Sequence, residues 1–189
     1  MSDYIKTIEN YHPCNEQEAR DKELILQAIK CFPNHLFRES LSAHMTSSAI
    51  VINESKTKVL FAYHNIYDSW GWLGGHNDGD TDFLKVAIKE AKEESGITDV
   101  KPYSHDVFML DVIYVSNHIK HGIYIPDHLH LNLTYLLIAD ENQTITFKKD
   151  ENQAVAWFKL DEVFEKITEP RMVPIYQKAF DKIKQLDVL

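Results

Sequence analysis

Cysteine, glycine, basic charge and long apolar runs are all scarce in this chain. Its two cysteines, Cys14 and Cys31, are too few for a disulfide framework and fit a reducing compartment. Lysine and arginine number 20 against 29 acidic residues, a formal net charge of -9. A protein that tracks a nucleic-acid backbone shows the opposite balance, so no long nucleic acid is expected as a partner. No apolar run approaches the roughly 20 residues that span a bilayer. The opening MSDYIKTIEN lacks the apolar core of a signal peptide. The expectation is a cytoplasmic protein without a membrane. The acidity leaves room for a small anionic substrate, provided that a metal or a few side chains supply positive charge locally.

What is present suits a folded domain. Hydrophobic residues make up 44% and charged residues 26% of 189, a length that favours one domain with a sizeable core. Residues 16–31 predict a helix, with Leu24, Ile25, Ala28 and Ile29 at helical spacing and Pro33 to stop it. Residues 44–52 and 57–64 predict two strands joined by the NESK turn. Most of the glycines then fall between residues 71 and 79, where backbone must bend sharply or approach a ligand. A helix follows to Ser95, capped by Asp80 or Thr81, with Gly96 just beyond its end. Strands are expected at 107–117, 128–139, 144–148 and 154–158, and helical pieces at 161–167 and 174–186. This order indicates a single α/β or α+β domain.

The helix after the glycines carries the chemistry. Leu84, Ala87, Ile88 and Ala91 make an apolar stripe. Glu90, Glu93 and Glu94 lie at i, i+3 and i+4 and share a face. They repel one another by about 0.2–0.5 kcal/mol per pair. They also occupy the last turn, where the helix dipole prefers cations. A divalent cation offsets both penalties, and clustered carboxylates are how proteins hold Mg²⁺. The plainer reading is a solvated acidic face, partly neutralised by Lys89 and Lys92.

Residues 74–97, GGHNDGDTDFLKVAIKEAKEESGI, resemble the Nudix box, G-x5-E-x7-R-E-U-x-E-E-x-G-U with U aliphatic. Gly75, Glu90, Glu93, Glu94 and Gly96 fall in register, with Ala91 and Ile97 in the aliphatic slots. Two positions depart from the pattern. Thr81, flanked by Asp80 and Asp82, takes the first glutamate slot, and Lys89 takes the arginine slot. Lysine keeps the charge but lacks the planar fork of arginine. In the family these two positions mainly support the loop and helix. The opening G-H-x-D-G-D-x-D is similar to that of one Nudix subgroup.

The resemblance implies a mixed-sheet α/β/α sandwich with an N-terminal and a C-terminal helix. It places a helical extension at 1–42, the core at 43–168 and the last helix at 169–189. It implies hydrolysis, by water attack at phosphorus, of a nucleoside diphosphate linked to another group. Mg²⁺, or Mn²⁺ in its place, would be held by Glu90, Glu93, Glu94 and the carbonyl of Gly74, with Glu94 central. Glu90 and Glu94 are the catalytic candidates on the helix. For the acid that completes the site outside the box, Glu151 is the candidate, with Asp150, Asp140 and Glu141 as rivals. A solvated loop carboxylate remains the alternative for Glu151.

His76, Trp72 and Lys89 are candidates for substrate contact. Tyr67, Trp70 and Trp72 could stack on a base or pack in the core. His128 and His130 alternate on one strand and face one side, near His118 and His121. A second metal site is one reading of that group, and phosphate contact or ordinary strand surface are others. The partner is a small nucleotide-type molecule, and a homodimer is left open. The main alternative function is a Nudix fold that binds a nucleotide without cutting it. An isomerase of isoprenoid diphosphates needs a catalytic cysteine, and Cys14 and Cys31 both precede the expected core.

Overall fold

The computed structural model describes residues 3–120, 122–148 and 152–186. The chain forms two compact units that interleave in sequence. One takes the chain up to Ser48, Gly74–Ala87 and His105–Tyr135; the other takes Ala49–Leu73, Ile88–Ser104 and the chain from Leu136 onward.

The first unit opens with helices α1 (Asp3–Asn10) and α2 (Glu16–Cys31). The side chain of Asn15 accepts from the Glu18 amide and caps α2. Ile25, Ala28 and Ile29 are buried along α2, as their spacing requires. The helix is keyed to strand β6 (Met109–Val115), since Asp21 accepts the Val112 amide at 2.9 Å. Strand β6 pairs antiparallel with the first part of β9 (His128–Ala139), with Leu110 opposite Leu133 and Asp111 opposite Asn132. The first part of β1 (Ala43–Ile52) belongs here too. Thr46 and Ser48 both donate to Asn132 Oδ1 at 2.9 Å, and Asn132 donates to Thr134. These groups are buried, and burying them is tolerable because each has its partner.

In the second unit, β2 (Lys58–His64) pairs antiparallel with the end of β1, with β3 (Ser69–Gly71) and with β10 (Asn152–Lys159). A bulge lies between Asn152 and Ala154. Strand β5 (Val100–Pro102) pairs with the end of β9. Helix α4 (Val173–Gln185) starts with Pro174 in its first turn, where the missing amide costs nothing. It buries Tyr176, Ala179, Phe180 and Ile183. Phe61 lies 4.9 Å from the Tyr176 ring, and the Tyr176 hydroxyl accepts the Trp72 amide at 3.2 Å. Hydrogen bonding orders the sheet β10-β2-β1-β9-β5. The class is α+β, with a mixed sheet and helices at both ends of the chain.

Several expectations are corrected. Residues 144–148 form no strand; the Thr146 amide instead donates to the Ser95 carbonyl at 2.8 Å, which closes a helix end. The helical piece expected over 161–167 is present as a shorter 3-10 helix, Val163–Lys166. Strand β5 and the hairpin of β7 (His118–Lys120) with β8 (Ile123–Ile125) were not anticipated, because strands of three residues carry too little pattern to read. Helix α1, eight residues with Tyr4 and Ile8 buried at i and i+4, was not anticipated either.

Candidate functional site

Strand β4 (Leu73–His76) leads into a loop and then helix α3 (Phe83–Ser95). The loop is pinned by specific bonds. Asn77 is buried; it accepts from Ser47 Oγ at 3.0 Å and donates to the Asp80 carbonyl at 2.9 Å. Arg38 grips the Asp78 carboxylate through Nε and Nη2, and this fork holds Asp78 below the usual carboxylate range. A β-carbon on Gly74 would lie 2.6 Å from the Ser47 carbonyl oxygen and 2.8 Å from Ser48 Cα. Only glycine permits that approach of backbone to backbone.

The cap of α3 is neither Asp80 nor Thr81. Asp82 accepts the Lys85 amide at 3.0 Å, and Asp80 accepts the Asp82 amide at 3.0 Å and the Lys85 ammonium at 2.9 Å. Those contacts lower the Asp80 pKa, the Asp82 amide most of all. Thr81 itself is exposed. The two aspartates beside it thus support the helix start, where the general pattern has one glutamate.

The buried stripe of α3 is Phe83, Val86, Ala87 and Ala91, continued by Glu94 and Ser95. Leu84 and Ile88 flank it, half-buried. This rotation grades the three glutamates. Glu94 is only 3% exposed. Glu90 has a side chain 12% exposed, whereas that of Glu93 is 44% exposed. Lys89 reaches Glu90 at 3.0 Å and Glu93 at 3.6 Å, and the bond to Glu90 raises its pKa. Asn152, at the start of β10 and buried, points Nδ2 at Glu94 Oε1 from 3.4 Å, while its Oδ1 has no partner among the described residues. A carboxylate on the packed face of a helix is costly unless something compensates its charge.

Gly96 closes the helix at φ +71°, and its amide donates to the Lys92 carbonyl. A β-carbon there would meet Thr146 Oγ1 at 2.2 Å. Three carboxylates of graded burial, within one turn and followed by this tight exit, form an all-oxygen donor set of the kind that suits a hard divalent cation.

The first unit holds a second constellation. His44 on β1, His76 at the end of β4 and His130 on β9 have ring centroids 4.9, 5.0 and 5.1 Å apart. Burial depresses the pKa of all three, to about 3 for His76. Arg38 and His44 add to the shift at His76, and His76 and His44 to that at His130. His128 packs on His44 and His130, and His118 lies 6.2 Å from His128.

Comparison with known proteins decides the family. The NUDIX domain model matches residues 43–180. The chain belongs to the Nudix family. Among solved structures, the Nudix fold recurs in an Ap4A hydrolase of C. elegans, at TM-score 0.55 and 15% identity over 76% of this chain and 97% of that one. It recurs in a NUDIX family hydrolase of Clostridium perfringens, at TM-score 0.53 and 18% identity over 73% and 96%. The E. coli dihydroneopterin triphosphate pyrophosphohydrolase gives TM-score 0.51 and 14% identity over 75% and 92%. At these identities the likeness concerns the fold. No curated protein sequence matches significantly.

As a Nudix protein, the chain is a hydrolase of phosphorus-containing acid anhydrides, and the remaining candidates can be placed on its fold. Glu151, Asp150 and His121 lie outside the described residues. Glu141 is tied to Asn53 at 2.7 Å and Lys58 at 3.0 Å, which lowers its pKa. Asp140 is exposed and accepts the Asn142 amide at 2.9 Å. Trp72 is buried edge-on to Tyr176 at 5.3 Å, and half-buried Trp70 meets Phe158 at 4.7 Å, so both rings serve packing.

Sequence reasoning missed Asn152, Glu169 and His44. Burial raises the Glu169 carboxyl, and Tyr67, pushed up to about 12 by burial, feels the charges of Glu169 and Glu94. His44 had a signal, in that His44, Thr46 and Ser48 sit at alternate positions of one strand and so share a face.

Proposed function

We propose that this Nudix protein hydrolyses a nucleoside diphosphate linked to another group, with Mg²⁺ as cofactor and water attacking at phosphorus. The observation that carries the reading is Glu94, a carboxylate on the packed face of α3 with Glu90 and Glu93 one turn away. The residues fit the ion, because the donors are all oxygen and Glu94 sits beside a buried amide oxygen that lacks a partner. Glu90, Glu93 and Glu94 would hold Mg²⁺. When bound, the ion supplies charge to the phosphates and lowers the pKa of the attacking water.

The chain's own residues do the rest. Lys89 offers the phosphates a cation, once released from Glu90 and Glu93. His76 offers a neutral imidazole to the substrate. Trp72, buried edge-on against Tyr176, is left to the core. Glu151 is proposed as the base that takes the water's proton. A small nucleotide suits a chain of net charge -9 better than a long nucleic acid does. Dinucleoside polyphosphates and pterin triphosphates enter the substrate panel because structural neighbours are named for them.

The test is turnover on dinucleoside polyphosphates, nucleotide sugars, nucleoside and pterin triphosphates and dinucleotide cofactors, with and without Mg²⁺. Glu94→Gln is expected to lower kcat/KM by about two to three orders of magnitude, the rate equivalent of several kcal/mol of metal assistance. Tight binding of a nucleotide that is never cut would move the reading to a sensing module.

A further inference from the structure

The histidines of the first unit are more than a crowded surface. His44, His76 and His130 come from three separate strands and place one ligand nitrogen each within 4.8 Å of the others. Their ring centroids form a nearly equilateral triangle. His44 is the decisive member. It is 3% exposed, and its Nδ1–H donates to the Ser40 carbonyl at 3.0 Å, which leaves a lone pair on Nε2. That Nε2 is buried and has no hydrogen-bond partner. An unpaired buried acceptor is costly, so its presence calls for a missing partner.

The surroundings are those of metal-binding imidazoles. Such a histidine nearly always gives its other ring N–H to a carbonyl or carboxylate, which fixes its tautomer and direction. His44 does so to Ser40. His128 does so to the Pro126 carbonyl at 2.8 Å, and its Nε2 sits 3.2 Å from Nε2 of His130. His128 therefore accepts the N–H of His130 and orients that ring. The nearby cation Arg38 is engaged by the Asp78 carboxylate.

We propose that His44, His76 and His130 form a binding site for a borderline divalent transition ion of the zinc class, with one coordination position left open. The donors are all nitrogen, which suits zinc and its neighbours and not Mg²⁺. Tetrahedral ligation sets the nitrogens roughly 3.3 Å apart, so the half-buried rings of His76 and His130 must close by about an ångström. The site uses none of the glutamates of α3. It differs in ligand chemistry, and either could fail without the other.

Co²⁺ added to the full, metal-stripped chain tests the site, since cobalt in a tetrahedral nitrogen site absorbs visible light strongly. One equivalent is expected to give that absorption. It should persist in Glu94→Gln and under excess Mg²⁺, and be displaced by one equivalent of Zn²⁺. His44→Ala, His76→Ala and His130→Ala should each weaken Zn²⁺ binding at least tenfold, with circular dichroism unchanged. His76→Ala guards against a folding artefact, because its ring is half-buried. A spectrum that survives all three substitutions overturns the proposal. So does the absence of absorption at one equivalent, or a spectrum lost with Glu94→Gln.

Discussion

The two ends of α3 are built to opposite rules. At the first end, acidic groups meet a positive helix terminus and are consumed by it: Asp82 caps the Lys85 amide, and Asp80 takes the Asp82 amide and the Lys85 ammonium. At the other end, Glu90, Glu93 and Glu94 crowd a negative terminus, with Lys89 and Lys92 as the basic residues of the same stretch. Both ends are acid-rich, and only the first gains from its charges. The first arrangement stabilises the helix start. The second costs stability unless a cation relieves it.

The sharpest way to break the comparison is at the exit of the second end. Gly96→Ala would place an L-residue at φ +71° against Thr146. The strain and the overlap should together cost about 3 kcal/mol. Thermal unfolding should then fall by roughly 6–12 °C. An unchanged midpoint would mean that Thr146 moves aside freely and that the tight exit does not hold the glutamates in place. Asp82→Ala should cost less, about 1 kcal/mol for a lost cap. Its effect on melting should be the same with and without Mg²⁺, because that end serves folding alone. A metal-dependent loss would tie the cap to the site.

Much of this contrast is legible in the residues themselves. The period of 3.6 places Glu90, Glu93 and Glu94 together, and Gly96 marks the helix end; the structure agrees on both counts. The period does not say which face turns inward. The stripe rotates from Leu84 and Ile88 to Phe83 and Val86, because burial is decided by partners far along the chain. That rotation is what buries Glu94. The cap differs from the expectation for a similar reason, since three residues in a row, Asp80, Thr81 and Asp82, all offer a side-chain oxygen, and the Asp80 carboxylate is taken by the Asp82 amide and Lys85 while Asp82 accepts the Lys85 amide. Two readings of the aromatics near Trp72 were open in the sequence, and only the packing of Tyr176 favours the core. The histidine triangle depends on pairing β1, β4 and β9, a long-range fact that no local pattern contains.

The smallest effect is also the most discriminating, because its sign reverses. Removing an acid from the first end destabilises, whereas removing one from the second should stabilise. Glu93 is the exposed member of the trio, so its substitution disturbs packing least. In Glu93→Gln, one like-charge pair and one unfavourable dipole contact disappear, against the loss of a 3.6 Å contact with Lys89. The net gain without metal should be about 0.5 kcal/mol, read as a higher melting midpoint in EDTA. Added Mg²⁺ should then raise that midpoint less than it does for the native chain. If the variant melts lower in EDTA, the Lys89 contact outweighs the repulsion. The second end of α3 would then be an ordinary solvated face, without the frustration that a bound cation relieves.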